Sequence, residues 1–279
     1  MDHKTIVITG ATDGIGKETA FELAHENTSL ILVGKNTDKG NAVMQEVQST
    51  TSNDRIHFYT ADLSQMAQIR RLGASLKKDF DRIDVLINNA GCYFAKYENT
   101  SEGLEKTFAL NHMNYFLLSK ELLPVMKDAP AGRIINVASD AHRGKKMDWN
   151  NVQGDNGYHG WQAYGRSKLM NIMFTYELAR RISGGSVTAN CLHPGFVKSK
   201  FGENNSGVVG WGMKLAKAAG AISLHKGAET SVYLALSSEV ENVSGKYFVK
   251  KREAQSSVES YNKDDWKQLW ELTEKIISS

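Results

Sequence analysis

Tyr164 and Lys168 stand four residues apart in the run Tyr164-Gly-Arg-Ser-Lys168, near the start of a helical pattern that continues to about Arg181. At that spacing both side chains share one helix face, one turn apart. A nearby ammonium stabilises a phenolate and lowers a tyrosine's pKa, which is what a general acid–base working near neutrality requires. A second stretch able to do chemistry opens the chain, Ile6-Val7-Ile8-Thr9-Gly10-Ala11-Thr12-Asp13-Gly14-Ile15-Gly16. Ile6 to Ile8 suits a buried strand. Gly10, Gly14 and Gly16 let the backbone turn sharply and approach a ligand, and a helical pattern follows from Lys17 to Glu26. A helix opening at such a turn aims N–H groups and the positive end of its dipole at an anion. Together these pieces read as a cradle for a pyrophosphate. Each alone has a plainer reading: a surface Tyr–Lys pair, or a tight turn without a ligand.

The elements that must position these residues alternate almost to the end of the chain. Strand-like runs are predicted at Ser29 to Val33, Arg55 to Thr60, Ile83 to Ile87, Arg133 to Val137, Val187 to Leu192 and Lys246 to Val249, seven with the first. Helical patterns lie between them. One carries Ala42, Val43 and Val47; another, with Ser64 as its expected cap, carries Met66, Ile69, Leu72 and Leu76. Leu104 to Met126 reads as one or two helices. Such alternation implies right-handed crossovers and an α/β, doubly wound parallel sheet with helices on both faces. No linker, repeat or low-complexity segment divides residues 1–279, so a single domain is expected. In such a sheet a ligand lies beyond the C-terminal strand ends. Here those ends carry small or polar residues: Thr9-Gly10, Gly34-Lys35, Asp62, Asn88, Ser139 and Pro194-Gly195.

Bulk composition excludes several classes. The 279 residues carry a net charge of +3, from 34 basic and 31 acidic side chains, which gives no support for nucleic acid or an anionic membrane as the main partner. Two cysteines, Cys92 and Cys191, make neither a disulfide framework nor a metal-ligand spacing. His112, His193 and His225 show no partners at ligand spacing, so no metal is expected. No apolar stretch approaches the roughly 20 residues that span a bilayer, and Met1 to Lys4 carries no apolar signal segment. A cytoplasmic protein is expected.

Taken together and in order, these residues resemble the short-chain dehydrogenase/reductase family over nearly the whole chain. Thr9-Gly10-Ala-Thr12-Asp13-Gly14-Ile15-Gly16 is similar to its nucleotide loop, Asp62-Leu63 to its adenine contact, and Asn88-Asn89-Ala90-Gly91 to the segment after its fourth strand. Asn111 occupies the position of its active-site asparagine. Ser139, in Asn136-Val137-Ala138-Ser139, matches its catalytic serine, and Tyr164 with Lys168 its signature pair. Pro194-Gly195-Phe196-Val197-Lys198-Ser199 resembles the loop that closes over the nicotinamide, with Ser199 where threonine is common. The resemblance implies that Tyr164 exchanges a proton with the substrate oxygen while Ser139 holds that oxygen. It implies that Lys168 lowers the Tyr164 pKa and bonds the nicotinamide ribose, and that Asn111 holds a water linking Lys168 to solvent. Hydride transfer belongs to the cofactor.

Charge at the adenine ribose selects the cofactor. The second strand ends in Gly34-Lys35-Asn36, with no carboxylate before Asp38, which favours NADP(H) over NAD(H). Asp13 stands where NADP-preferring relatives often carry a second cation. The long insert between Ser139 and Tyr164 holds His142, Trp149, Tyr158, His159 and Trp161. With Ala141-His142 after the serine, it resembles the retinol dehydrogenase and WW-domain oxidoreductase branch. Residues 195–223 read as a substrate lid whose apolar side chains suit a lipophilic or aromatic aldehyde, ketone or alcohol. Leu117, Leu118, Leu122 and Met126, facing Met170, Phe174 and Leu178, could form a homodimer face or cover the sheet. Two other readings stand beside the enzyme: a non-catalytic NADP-binding regulator of the same fold, and a scaffold acting through exposed apolar helices.

Overall fold

The computed structural model describes residues 3–197 and 222–279; Ser199 and nearly all of the expected lid lie outside them. Continuous apolar runs make the centre of one sheet. Its strands are β1 (Lys4–Thr9), β2 (Thr28–Gly34), β3 (Ile56–Thr60), β4 (Val85–Asn88), β5 (Gly132–Val137), β6 (Val187–His193), β7 (Tyr247–Val249) and β8 (Arg252–Ala254). They lie in the order β3-β2-β1-β4-β5-β6-β7-β8, and each neighbouring pair is parallel except β7–β8. The chain reverses direction across the sheet between β1 and β4, the point where a doubly wound sheet opens a ligand crevice. Seven strands were expected. The eighth is a three-residue edge strand reached through Lys250 and Lys251 at φ 51° and 63°, and Arg-Glu-Ala carries no apolar signal.

Period-two alternation sends the strands' side chains to two cores. Val7, Ile31, Val33, Leu86 and Ile134 face α3 (Met66–Asp79), α5 (Asn114–Met126), α6 (Gly160–Arg181) and α8 (Lys263–Ser278). Ile6, Ile8, Leu30, Leu32, Val85 and Ile87 face α1 (Gly14–Ala24), α2 (Thr37–Thr51) and α7 (Leu224–Leu236). Two helix starts differ from the sequence reading. Helix α1 begins at Gly14, with Asp13 as its cap through a 2.8 Å bond from the Gly14 N–H. At α3, Ser64 is not the cap: the Glu102 carboxylate accepts from the Met66 and Ala67 N–H groups at 2.6 and 2.9 Å. A cap supplied by a distant loop leaves no local signature.

The stretch from Leu104 to Met126 resolves into α4 (Lys106–Phe108), a π-helical turn over Ala109–Met113, and α5. Leu117, Leu118, Leu122 and Met126 are fully buried, and Met170, Phe174 and Leu178 are nearly so. They belong to the chain's own core, so the dimer face drawn from them is already filled. Helix α8 helps to fill it. Trp270 packs edge-on against Phe116 at 4.7 Å and takes the Arg181 guanidinium on its face at 4.2 Å, while Leu269 is 1% exposed. Among the described residues no helix is long and apolar enough to cross a membrane. Truncating the α8 contact should be costly: Leu269→Ala is expected to lower unfolding free energy by about 2–5 kcal/mol in urea titration, while exposed Lys267→Ala stays within about 0.5 kcal/mol of the parent.

Candidate active site

The nucleotide cradle is built by close backbone approach. Gly10 sits at φ +65°, and a Cβ there would come within 2.9 Å of Ala90 Cα; one on Gly16 would lie 2.3 Å from the Gly10 carbonyl oxygen. The turn can close so tightly only without those side chains. Asn89 staples it, donating to the Thr9 and Gly10 carbonyls, and the Thr9 hydroxyl accepts from the Asn89 and Ala90 N–H groups. Thr12 packs over Gly34, and Ile15 lies near Gly227 and Val197. A sharp glycine turn running into an 11-residue helix at the sheet's reversal point fits a dinucleotide pyrophosphate. Gly10, Gly14, Gly16 and the intervening Thr12, Asp13 and Ile15 lie on this turn and the first turn of α1.

The four expected catalytic residues converge at the C-terminal ends of β4 and β5. Ser139 directly follows the Val137-Ala138 end of β5, and its Oγ accepts from the Ala141 N–H at 3.2 Å. Tyr164 shares a hydrogen bond with Ser139. Lys168 lies one turn further along α6, its Nζ donating to the Val137 carbonyl at 3.0 Å and sitting 5.7 Å from the Tyr164 ring centre. Gly165, between the two, allows the Ser139 turn to press on α6: a Cβ there would meet the Ala141 carbonyl oxygen at 2.6 Å. Asn111 rides on the π turn and is fully buried. Its amide donates to the Cys92 carbonyl and Ser167 Oγ, and its oxygen accepts from the Cys92 N–H. A Cβ on Gly91 would lie 3.2 Å from Asn111 Oδ1 and 3.3 Å from Lys168 Nζ, so both groups flank one point. π turns of this kind recur at functional sites.

Burial governs the charges. It pulls Lys168, 4% exposed, down to about 7. It pushes the Tyr164 phenol well above its ordinary value, with the Ser139 hydrogen bond opposing in part. In the chain by itself desolvation raises the phenol, so it holds its proton near neutral pH. A protonated phenol is the form that can give a proton to a carbonyl oxygen.

At the adenosine corner, Lys35 Nζ pairs with Asp62 Oδ2 at 2.7 Å. Burial raises the Asp62 carboxyl, but Lys35 and Ser64 outweigh it and hold the group below its ordinary value. The structure adds a cation the sequence reading did not weigh. Lys39 Nζ lies 2.6 Å from Asp13 Oδ2, setting positive charge beside the carboxylate that argued against NADP. Asn36 caps α2 by accepting from the Lys39 N–H at 2.8 Å, which fixes that lysine in the first turn.

Other expected residues divide. The Asn88 side chain turns into the sheet, donating to Ser119 Oγ and Asn136 Oδ1, so its amide is structural. The Leu63 side chain is core. Pro194, Gly195 and Val197 follow β6 beside Ser139, with Gly195 at φ +91° and the Phe196 carbonyl accepting from Ile222. Of the insert, Tyr158 bonds the Phe94 carbonyl and Thr107, and Trp149 bonds Asp265, so both brace the structure. Trp161 alone of that group stacks on Tyr164, at 5.8 Å and 28°. Tyr93 was missed; it stands edge-on to both rings at 6.2 and 6.3 Å, and its place just after Gly91-Cys92 was the available signal. Of the three histidines expected to lack partners at metal-ligand spacing, His112 meets Thr273 and His193 approaches Asp140 at 3.7 Å, while His225 gathers with two carboxylates, Glu22 at 2.9 Å and Glu18 at 3.8 Å.

With this fold and site, the chain belongs to the short-chain dehydrogenase family, whose model matches residues 4–207. It is an oxidoreductase of the NAD(P)(H)-dependent kind that acts on CH–OH and C=O groups, in the retinol dehydrogenase branch. It is 37% identical to retinol dehydrogenase 11 of Homo sapiens over 98% of this chain and 85% of that protein. With retinol dehydrogenase 12 of Mus musculus it shares 35% over 98% and 86%. Among solved structures, an uncharacterized protein from Mycobacterium Paratuberculosis superposes with a TM-score of 0.79 at 26% identity, covering 99% of this chain and 94% of that one. A Burkholderia cenocepacia short chain dehydrogenase in complex with NADP shares the fold at a TM-score of 0.70 and 20% identity, over 88% and 95%.

The depressed Lys168 has a consequence for stability that needs no substrate. An unfolded lysine keeps its proton to about pH 10.4, whereas folded Lys168 releases it near 7. Between those values the unfolded chain binds more protons, so this group's contribution to stability rises with pH. Urea midpoints at pH 7 and 9.5 should show that rise, and Lys168→Met should flatten it.

Proposed function

We propose that the protein transfers hydride between NADP(H) and a lipophilic, aromatic or conjugated aldehyde, ketone or alcohol. The observation that carries the reading is Tyr164, bonded to Ser139, one turn from buried Lys168, stacked on Trp161 and edge-on to Tyr93. A bound nicotinamide would supply or accept the hydride. Tyr164 would give its phenolic proton to the carbonyl oxygen, and Ser139 Oγ would hold that oxygen as charge develops. Lys168 would restore positive charge beside the phenol and reach a ribose hydroxyl. Asn111 would keep the lysine end of the proton path ordered. Apolar faces at the entrance, with Trp161 45% and Phe196 50% exposed, favour a flat, water-averse substrate. Two named relatives are retinol dehydrogenases, which makes retinal a natural member of the test panel.

Lys35, with Lys39 masking Asp13, supports the preference for NADP(H) over NAD(H). A 2′-phosphate would draw both ammonium groups from their carboxylates. The enzyme reading is tested by NADPH oxidation with lipophilic aldehydes, retinal included. Tyr164→Phe should lower kcat by about 10²–10⁴-fold while NADPH titration still shows binding. Turnover that survives in that variant overturns the assignment, and tight NADPH binding without turnover on any substrate favours the regulator. Replacing Lys35 and Lys39 together by alanine should cut kcat/KM for NADPH by about ten- to hundredfold, the worth of charge-assisted hydrogen bonds, and leave NADH nearly unchanged. A parent enzyme that prefers NADH would overturn the cofactor preference.

A further inference from the structure

Two fully buried histidines flank the catalytic corner without a part in the chemistry above, His112 beside Asn111 and His142 three residues after Ser139. The second is held by partners that leave it no choice. His142 Nδ1 lies 2.6 Å from the Ser139 carbonyl oxygen, which can only accept, so Nδ1 carries the hydrogen. His142 Nε2 lies 2.9 Å from the Ser257 backbone nitrogen, which donates, so Nε2 is the acceptor. The ring is a neutral imidazole in one tautomer, bridging the catalytic serine to the segment that leads into α8. That segment is itself fixed: Ser256 Oγ meets Tyr176 of α6 and Ser260, and the Ser260 carbonyl accepts from Trp266. On its other side, the Asp140 N–H donates to His193 Nδ1 and the Asp140 carboxylate accepts from Tyr247. Ser139 is thus clamped through its own carbonyl and through the next residue's amide.

We propose that His142 is a positioning residue for Ser139, acting as a neutral imidazole strut between the serine's carbonyl and the Ser257 amide. The inference rests on the reading of Ser139 as catalytic. Serine Oγ must meet a substrate oxygen within a few tenths of an ångström, and a displacement of about 1 Å costs on the order of a hundredfold in rate. An imidazolium could not serve, because its second N–H would face the Ser257 N–H. The strut therefore fails as pH falls and His142 takes up a proton. Burial holds that protonation below the ordinary histidine value. The charged and titratable groups around it are Asp140, Arg143 and Lys146 on and after its own turn, His193 of β6, Tyr247 of β7, Glu259 near Ser257, and Tyr164 and Lys168 of α6. His193 is a rival source of any acid limb, so the test must separate the two.

Steady-state kinetics over pH 4.5–8, with NADPH affinity measured by titration, provides that test on the full chain, using His142→Phe, His142→Gln and Ser139→Ala. Glutamine keeps one donor and one acceptor but cannot titrate in this range. His142→Phe should lower kcat by about ten- to hundredfold with NADPH affinity little changed, and His142→Gln should recover most of that loss. The parent's kcat should fall on the acid side of the ordinary histidine range, and that limb should be absent from His142→Gln. Should the phenylalanine variant fail to fold, the glutamine pH profile decides alone. An unchanged acid limb in His142→Gln, or full activity in His142→Phe beside an inactive Ser139→Ala, overturns the strut. Full activity in Ser139→Ala overturns the underlying catalytic reading instead.

Discussion

A lysine ammonium taken out of water sets the terms for the rest of the site. Lys168 is 4% exposed, and the partner seen for its Nζ is one backbone carbonyl, that of Val137. The same carbonyl takes the Tyr115 hydroxyl at 3.2 Å. Burying a cation with so few acceptors costs several kcal/mol, and burial pulls the group down to about 7 as a result. Such a lysine gains most from any new acceptor brought within reach. Asn111 Oδ1 and Lys168 Nζ both crowd Gly91, where a Cβ would sit 3.2 and 3.3 Å from them.

The four converging side chains reach that corner by different local devices. Ser139 is carried by a parallel strand end, Tyr164 and Lys168 by one helix face, and Asn111 by a π turn that shifts the helical register before α5. The pieces approach closely because Gly165 faces the Ala141 carbonyl without a Cβ. Glu105, buried and drawn toward its neutral form by desolvation, accepts from the Thr107 and Phe108 N–H groups and so anchors the start of the Asn111 stretch. Precision here comes from strand ends and helices rather than from mobile loops, which is what a proton-transfer geometry needs.

Sequence showed the parallel core and the pairing of Tyr164 with Lys168 well, for physical reasons. Buried strands must be apolar throughout, as Ile6–Ile8 and Leu30–Val33 are, and Tyr164 and Lys168 fall on one face by helical geometry alone. What stayed hidden was set by contacts between distant segments. Glu102 caps α3 from 35 and 36 residues away, and Lys39 reaches Asp13 across 26. Nor does the strand-end position of Asn88 reveal that its side-chain NH2 group donates to Ser119 and Asn136 inside the sheet. The burial that raises the Tyr164 phenol was also illegible, since a Tyr–Lys spacing says nothing of desolvation.

The C-terminal segment makes the site and the core a single cooperative problem. It supplies Ser257 to His142, Thr273 to His112 and Asp265 to Trp149, three bonds that end within a few residues of Ser139, Asn111 and the insert. Its helix also covers the apolar faces of α5 and α6 through Leu269 and Trp270. His112 shows how much the core demands. Its Nε2 meets Thr273, burial holds it at about 3, and its Nδ1 has no hydrogen-bond partner among the described residues. A buried orphan lone pair costs on the order of 1–3 kcal/mol, and is kept where packing against Phe108, Phe116 and Phe174 offsets it. Local opening of α8 would therefore expose that core and release the π turn beneath Asn111 in the same event.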